Sequence, residues 1–93
     1  ETSDQLNNMV ETVNDAIKSI VKKLVDKPDN VVTETSTSTK NVIVQLKVDK
    51  NDFGKVIGKK GRTIESLKVI GAAIKKTNFP NDSRNVIVEI LED

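Results

Sequence analysis

The chain has 93 residues, with 15 Lys plus Arg against 14 Asp plus Glu for a net charge of +1, and it contains no His, Cys, Trp or Tyr and only two Phe. Without His or Cys there is no Cys/His zinc site, no Ser-His or Cys-His nucleophile pair, and no side chain that titrates near neutrality unless perturbed. One domain of this length buries roughly 60–65% of its unfolded surface, so a surface binder is expected rather than an enzyme with a deep pocket.

Apolar residues at Leu6, Met9, Val10, Val13, Ala16, Ile17, Ile20, Val21, Leu24 and Val25 fall on one helical face. Thr2 with Gln5 offers a capping box and Pro28 forbids continuation, so a helix is predicted from about Ser3 to Asp26. At about 1.5 Å per residue it is roughly 35 Å long, longer than a small sheet covers, and its first two turns are expected to overhang. Residues 1–12 read as a helical extension and 13–93 as the domain proper.

Asp29 and Asn30 supply a turn. Val31 to Thr35 is a short β-branched run, followed by a polar hairpin loop from Ser36 to Lys40. From Asn41 to Val48 the side chains alternate, with Val42, Val44, Leu46 and Val48 on one face and Ile43, Gln45 and Lys47 on the other, the pattern of a half-buried strand. Asp49 or Asn51 then offers an N-cap for a short helix over Asp52 to Ile57. Gly58 and Gly61 interrupt it. A further helix begins near Arg62, with Ile64, Leu67, Ile70 and Ile74 as its buried stripe and Ala72 and Ala73 permitting close packing. Asn78 to Asp82 form a loop, and a last strand, Asn85 to Leu91, points Val86, Val88 and Ile90 inward. The predicted class is α+β in the order α-β-β-α-α-β, a three-stranded sheet packed against helices.

The total charge conceals its distribution. Residues 55–76 hold Lys55, Lys59, Lys60, Arg62, Lys68, Lys75 and Lys76 against Glu65 alone. Within this basic segment, Gly58-Lys59-Lys60-Gly61 joins the short helix to the longer one. A tight loop there exposes backbone N–H groups at a helix N-terminus, where the peptide dipoles favour an anion. Two glycines leave room for a phosphate backbone, and Lys59, Lys60 and Arg62 add cations. Two other phosphate motifs fail on spacing. Walker A needs four residues between its glycines, whereas Gly54 and Gly58 are separated by three; a dinucleotide fingerprint requires Gly where Val56 stands.

Val56 and Ile57, the Gly58-Lys59-Lys60-Gly61 loop and Ile64 resemble the signature of KH domains, which clamp about four nucleotides on a GxxG loop. The element order resembles their type II, prokaryotic form, in which the last strand lies parallel to its neighbour. Ile17 to Val31, Phe53 to Arg62 and Val86 to Ile90 are similar to a single-domain bacterial RNA-binding branch, so the resemblance covers about residues 13–93. It implies a cytoplasmic protein that binds single-stranded RNA with low sequence specificity as a chaperone or post-transcriptional regulator. It also implies a homodimer or a heterodimer with a second KH-containing protein. Carried onto this chain, the phosphate loop is Gly58, Lys59, Lys60, Gly61 and Arg62. Ile57 and Ile64 line the base groove, with Val44 or Leu46 as further candidates, and Lys55, Lys68 and Arg84 are outer contacts. Glu65 stands where a neutral or basic residue is expected.

No catalytic residue, cofactor, metal or small-molecule substrate is called for. With no Tyr or Trp to stack on bases, binding is expected to be weak and salt-sensitive, with a log-log slope near −2 to −3 for three or four phosphate contacts at about −0.7 each. The absence of Cys suits a reducing cytoplasm. No stretch reaches the roughly 18 apolar residues needed to span a bilayer, and none reads as a signal peptide. The first residue is Glu and not Met, so sequence upstream of Glu1 is expected to be missing. A second class of function is a protein-interaction or dimerisation module whose GxxG loop is structural or buried against a partner, motivated by the long apolar face of the first helix and by the weak net charge.

Overall fold

The computed structural model describes residues 3–92; Thr2, the expected helix cap, lies outside them. Six elements follow in the expected order: α1 (Ser3–Leu24), β1 (Val32–Thr37), β2 (Asn41–Lys47), α2 (Phe53–Ile57), α3 (Arg62–Asn78) and β3 (Asn85–Ile90). The three strands lie in the spatial order β1, β2, β3. β1 and β2 form an antiparallel hairpin that pairs Val32 with Lys47 and Thr37 with Val42. β3 runs parallel to β2, with Val42 opposite Val86 and Leu46 opposite Ile90. A parallel neighbour requires a crossover, and α2 and α3 supply it.

The core follows from the two periodicities. Met9, Val13, Ile17 and Val21 recur every fourth residue along α1 and are buried, while Val42, Val44 and Leu46 alternate along β2 with Ile43 and Gln45. Val56 of α2, Leu67 of α3 and Val88 of β3, with Val31 and Val48, join Val13, Ile17, Val21, Val44 and Leu46 in one cluster. The apolar face of α1 is therefore used within the chain, which removes the observation that motivated a dimer through this helix. Val44 and Leu46 have no exposed surface and cannot line a groove, contrary to the expectation. The overhang is also shorter than expected. Met9, in the second turn, is only 1% exposed and shares a cleft with Asn78 to Asp82.

Several boundaries and one stripe differ from expectation; β1 starts at Val32, β2 ends at Lys47 and α2 starts at Phe53, each one residue inside the expected limit. α1 ends at Leu24, because the backbone N–H groups of Asp26 and Lys27 leave the helix to donate to the Asp52 carboxylate at 3.2 and 3.0 Å. Pro28 instead opens a 3₁₀ turn over Pro28–Asn30. β1 continues to Thr37, which shortens the hairpin loop; there the Ser38 hydroxyl accepts from the N–H groups of Lys40 and Asn41 at 3.3 and 3.1 Å. β3 ends at Ile90, one residue early. On α3 the buried positions are Leu67, Gly71 and Lys75, whereas Ile70 is 38% exposed and Ala72 and Ala73 are exposed. The close approach belongs to Gly71, where a Cβ would stand 3.0 Å from Val86 Cγ1 and 3.4 Å from Ile17 Cδ1. With Gly71 against Ile17 and Phe79 near Met9, α1 and α3 run antiparallel, and the end of α1 lies beside the start of α3.

Candidate nucleic-acid interface

α2 is stopped and α3 is started by four residues. Gly58 closes α2 by donating its N–H to Gly54 O at 2.8 Å, then takes φ 77° and ψ 171°. Few L residues adopt that conformation, and space forbids a side chain as well: a Cβ at Gly58 would fall 2.7 Å from Thr63 Cβ and 2.8 Å from the Thr63 amide nitrogen. Gly58 is thus required by the packing of the loop on itself, and not only by the approach of a ligand. Gly61 also has positive φ, 73°, but nothing lies within 4 Å of where its Cβ would be. Its bare face opens outward. Between them Lys60 holds a left-handed conformation, φ 58° and ψ 26°, uncommon for a residue with a Cβ.

α3 begins directly after this loop, and no side chain caps its N-terminus. Orphan N–H groups and the positive dipole end therefore face the same surface as the loop cations. Lys59, Lys60 and Arg62 are exposed and make no ion pair among the described residues. Ile57 and Ile64 flank them half-buried, and Ile64 packs its inner side on the core.

The outer candidates are engaged elsewhere. Lys55 pairs with Asp26 and stands 3.9 Å from Asp52; its hydrogen bond to Asp26 raises its pKa above the ordinary lysine value. Lys68 pairs with Glu65 at 3.0 Å, so the unexpected acid at position 65 occupies the next cation along α3. Arg84 donates to Ser38 O at 2.8 Å and pairs with Asp82 at 2.5 Å. The structure brings Gly58, Lys59, Lys60, Gly61 and Arg62 to one surface beside Ile57 and Ile64, while Lys55, Lys68 and Arg84 are held by acids.

Two acids that sequence reading did not assign to the site prove to organise its surroundings. Asp52, 1% exposed, ties the segment after α1 to the start of α2. Asp82 holds the loop after α3: Lys75, 5% exposed, donates to Asp82 O at 2.5 Å and lies 3.5 Å from its carboxylate, which also takes Arg84. This loop borders an open groove between α3 and the outer edge of β3, lined in part by Ala72, Lys76, Asn85 and Val86. A signal for the second arrangement was present: Lys75 stands four residues after Gly71 on the buried face, where a lysine requires an acid. Among the described residues no cluster of His, Cys, Asp or Glu suited to a metal ion occurs, and no helix is long and apolar enough to cross a membrane.

Residues 14–90 match the family model described as KhpA/KhpB, KH domain. The chain belongs to this family. Among its relatives, a protein of Clostridium acetobutylicum named RNA-binding protein KhpA is 42% identical over 76 residues, 81% of this chain and 95% of the relative. Proteins of the same name from Borreliella burgdorferi and Chlamydia trachomatis are 40% and 39% identical, over 82% and 80% of this chain and 88% and 90% of the relative, respectively. Both the GxxG loop and the parallel third strand of this KH domain lie inside the matched region. Met9, buried against the loop after α3, precedes it.

Proposed function

We propose that this KH domain binds single-stranded RNA, with about four nucleotides held on the Gly58-Lys59-Lys60-Gly61 loop. The observation that carries the reading is the set of unpaired cations, Lys59, Lys60 and Arg62, gathered around two glycines of positive φ at an uncapped helix N-terminus. The relatives named RNA-binding protein KhpA support it. In this reading phosphates meet the three cations and the uncapped first turn of α3, the N–H groups of Gly58 and Gly61 being taken by the carbonyls of Gly54 and Gly58, and bases rest on the exposed sides of Ile57 and Ile64. No Tyr or Trp is present to stack on them, so phosphates contribute most of the affinity, sequence preference is low, and the protein acts without catalysis. Lys55 and Lys68 are secondary, since a phosphate must compete with Asp26 or Glu65 for each.

The test is a titration of single-stranded RNA at low salt with the parent chain and with the double substitution K59D/K60D. Loss of binding with thermal unfolding unchanged supports the reading. Undiminished binding by the folded variant refutes it.

Self-association is favoured by a separate observation. Val69 and Ile70 on α3 are 68% and 38% exposed, an apolar pair on the helix that follows the loop. A homodimer through this face predicts that Ile70→Asp converts a dimer to a monomer in light scattering.

A further inference from the structure

The outer face of α1 changes charge along its length. Asp4, Glu11 and Asp15 occupy its first part, and half-buried Lys18 with exposed Lys22 and Lys23 its second, Asp15 bordering the lysines. Complementing the helix dipole accounts for Lys22 and Lys23 in the last turn, but that effect decays within one turn, and Lys18 lies outside it. Ion pairing does not account for Lys18 either. Lys27, Lys55, Lys68, Lys75 and Arg84 each have an acid partner, whereas Lys18, Lys22 and Lys23, like the scattered Lys40, Lys50 and Lys76, have none among the described residues.

Their place in the fold supplies the missing term. α1 and α3 are antiparallel, and the segment after α1 is bound to the segment that leads into the GxxG loop, through Asp52 to the N–H groups of Asp26 and Lys27 and through Lys55 to Asp26. At about 1.5 Å per residue, Lys22 and Lys23 lie roughly 5 Å along the helix before Asp26, and Lys18 roughly 12 Å. Lys22, Lys23 and the loop cations therefore lie toward one end of the molecule, with Lys18 further back, level with the middle of α3 and beside Asp15, while Asp4 and Glu11 lie toward the other end. Two groups of unpaired cations joined by a hydrogen-bonded junction fit a polyanion longer than either group spans.

We propose that Lys18, Lys22 and Lys23 form a second phosphate-binding patch that holds the continuation of a single RNA strand whose first nucleotides occupy the GxxG loop. The proposal rests on the loop reading above. It extends the site from about four nucleotides to a longer track, and it makes RNA length, rather than sequence, a determinant of affinity.

The experiment compares the oligouridylates U4 and U12 by fluorescence anisotropy over a series of salt concentrations. It uses the full chain, K18Q/K22Q/K23Q, K18R/K22R/K23R and K59Q/K60Q. The Gln variant is expected to bind U4 like the parent and to bind U12 about tenfold more weakly at low salt, with a log-log salt slope shallower by about 2 for three lost contacts. The Arg variant is expected to behave like the parent. If the Gln variant binds U12 with the parent's affinity and slope while K59Q/K60Q weakens both RNAs, the patch is overturned and the loop reading stands. Equal loss on U4 and U12 in the Gln variant also overturns the track. If K59Q/K60Q weakens neither RNA, the loop reading falls, and the extension falls with it.

Discussion

The carboxylate of Asp52 reaches back to Lys27, 25 positions earlier, and accepts its backbone N–H at 3.0 Å. With the N–H of Asp26 at 3.2 Å, this contact satisfies two donors freed when α1 ends and anchors them to the residue that precedes α2. The end of the first helix and the approach to the GxxG loop thereby become one unit.

Asp52→Ala is expected to lower stability by about 2–4 kcal/mol, since it strands two partly buried donors. Urea denaturation checks this. A loss below about 0.5 kcal/mol would mean that water replaces the carboxylate and that the junction is held by packing alone.

The two loop glycines are not equivalent. Gly58→Ala combines a positive φ with overlap at Thr63, and it is expected to cost about 3 kcal/mol or more and to distort the loop. Gly61→Ala meets open space and is expected to cost only about 1 kcal/mol, the left-handed penalty. Lys60→Asn retains a residue type tolerant of that conformation, so it is expected to hold or slightly raise the melting temperature while weakening RNA binding. Thermal scans and RNA titrations on the three variants check the order. Equal costs at Gly58 and Gly61 would contradict the assigned roles.

Much of this was legible in the sequence because it is local. The four-residue spacing from Met9 to Val21, the alternation from Val42 to Leu46 and the Gly-x-x-Gly break all show within short windows. What was not legible depends on partners distant in the chain. Nothing near Asp52 announces that it ends α1, and so α1 was read to Asp26. Periodicity gave Ile64, Leu67, Ile70 and Ile74 as one stripe, but the sheet selects a face rotated toward Gly71 and Lys75, leaving Ile70 exposed. Charge counting treated Lys55, Lys68 and Arg84 as available cations. The fold places Asp26, Glu65 and Asp82 beside them, and only Lys59, Lys60 and Arg62 of the expected site remain free of ion pairs among the described residues.

Acid should loosen the loop after α3. Burial pushes the Asp82 carboxyl up, but the Arg84 N–H and the charges of Arg84 and Lys75 outweigh it and hold its pKa below the ordinary 3.8. The unfolded chain therefore binds the proton more readily. The contribution of Asp82 to stability is complete above the unfolded value and is lost as pH falls through the lower folded one. Asp82→Asn is expected to be less stable than the parent by about 2 kcal/mol at pH 6, with the gap narrowing toward pH 2. Denaturant titrations at both pH values check it, and a gap independent of pH would contradict the assignment.

The central claim is that the Gly58 to Gly61 loop is the surface on which RNA is held. Its most direct test is a ¹H–¹⁵N NMR titration of the full chain with the four-nucleotide RNA U4. The account predicts that the largest shifts fall between Ile57 and Glu65, with the first N–H groups of α3 foremost. Shifts concentrated instead on the outer face of the sheet, around Ile43 and Ile87, with the loop unmoved, would contradict it.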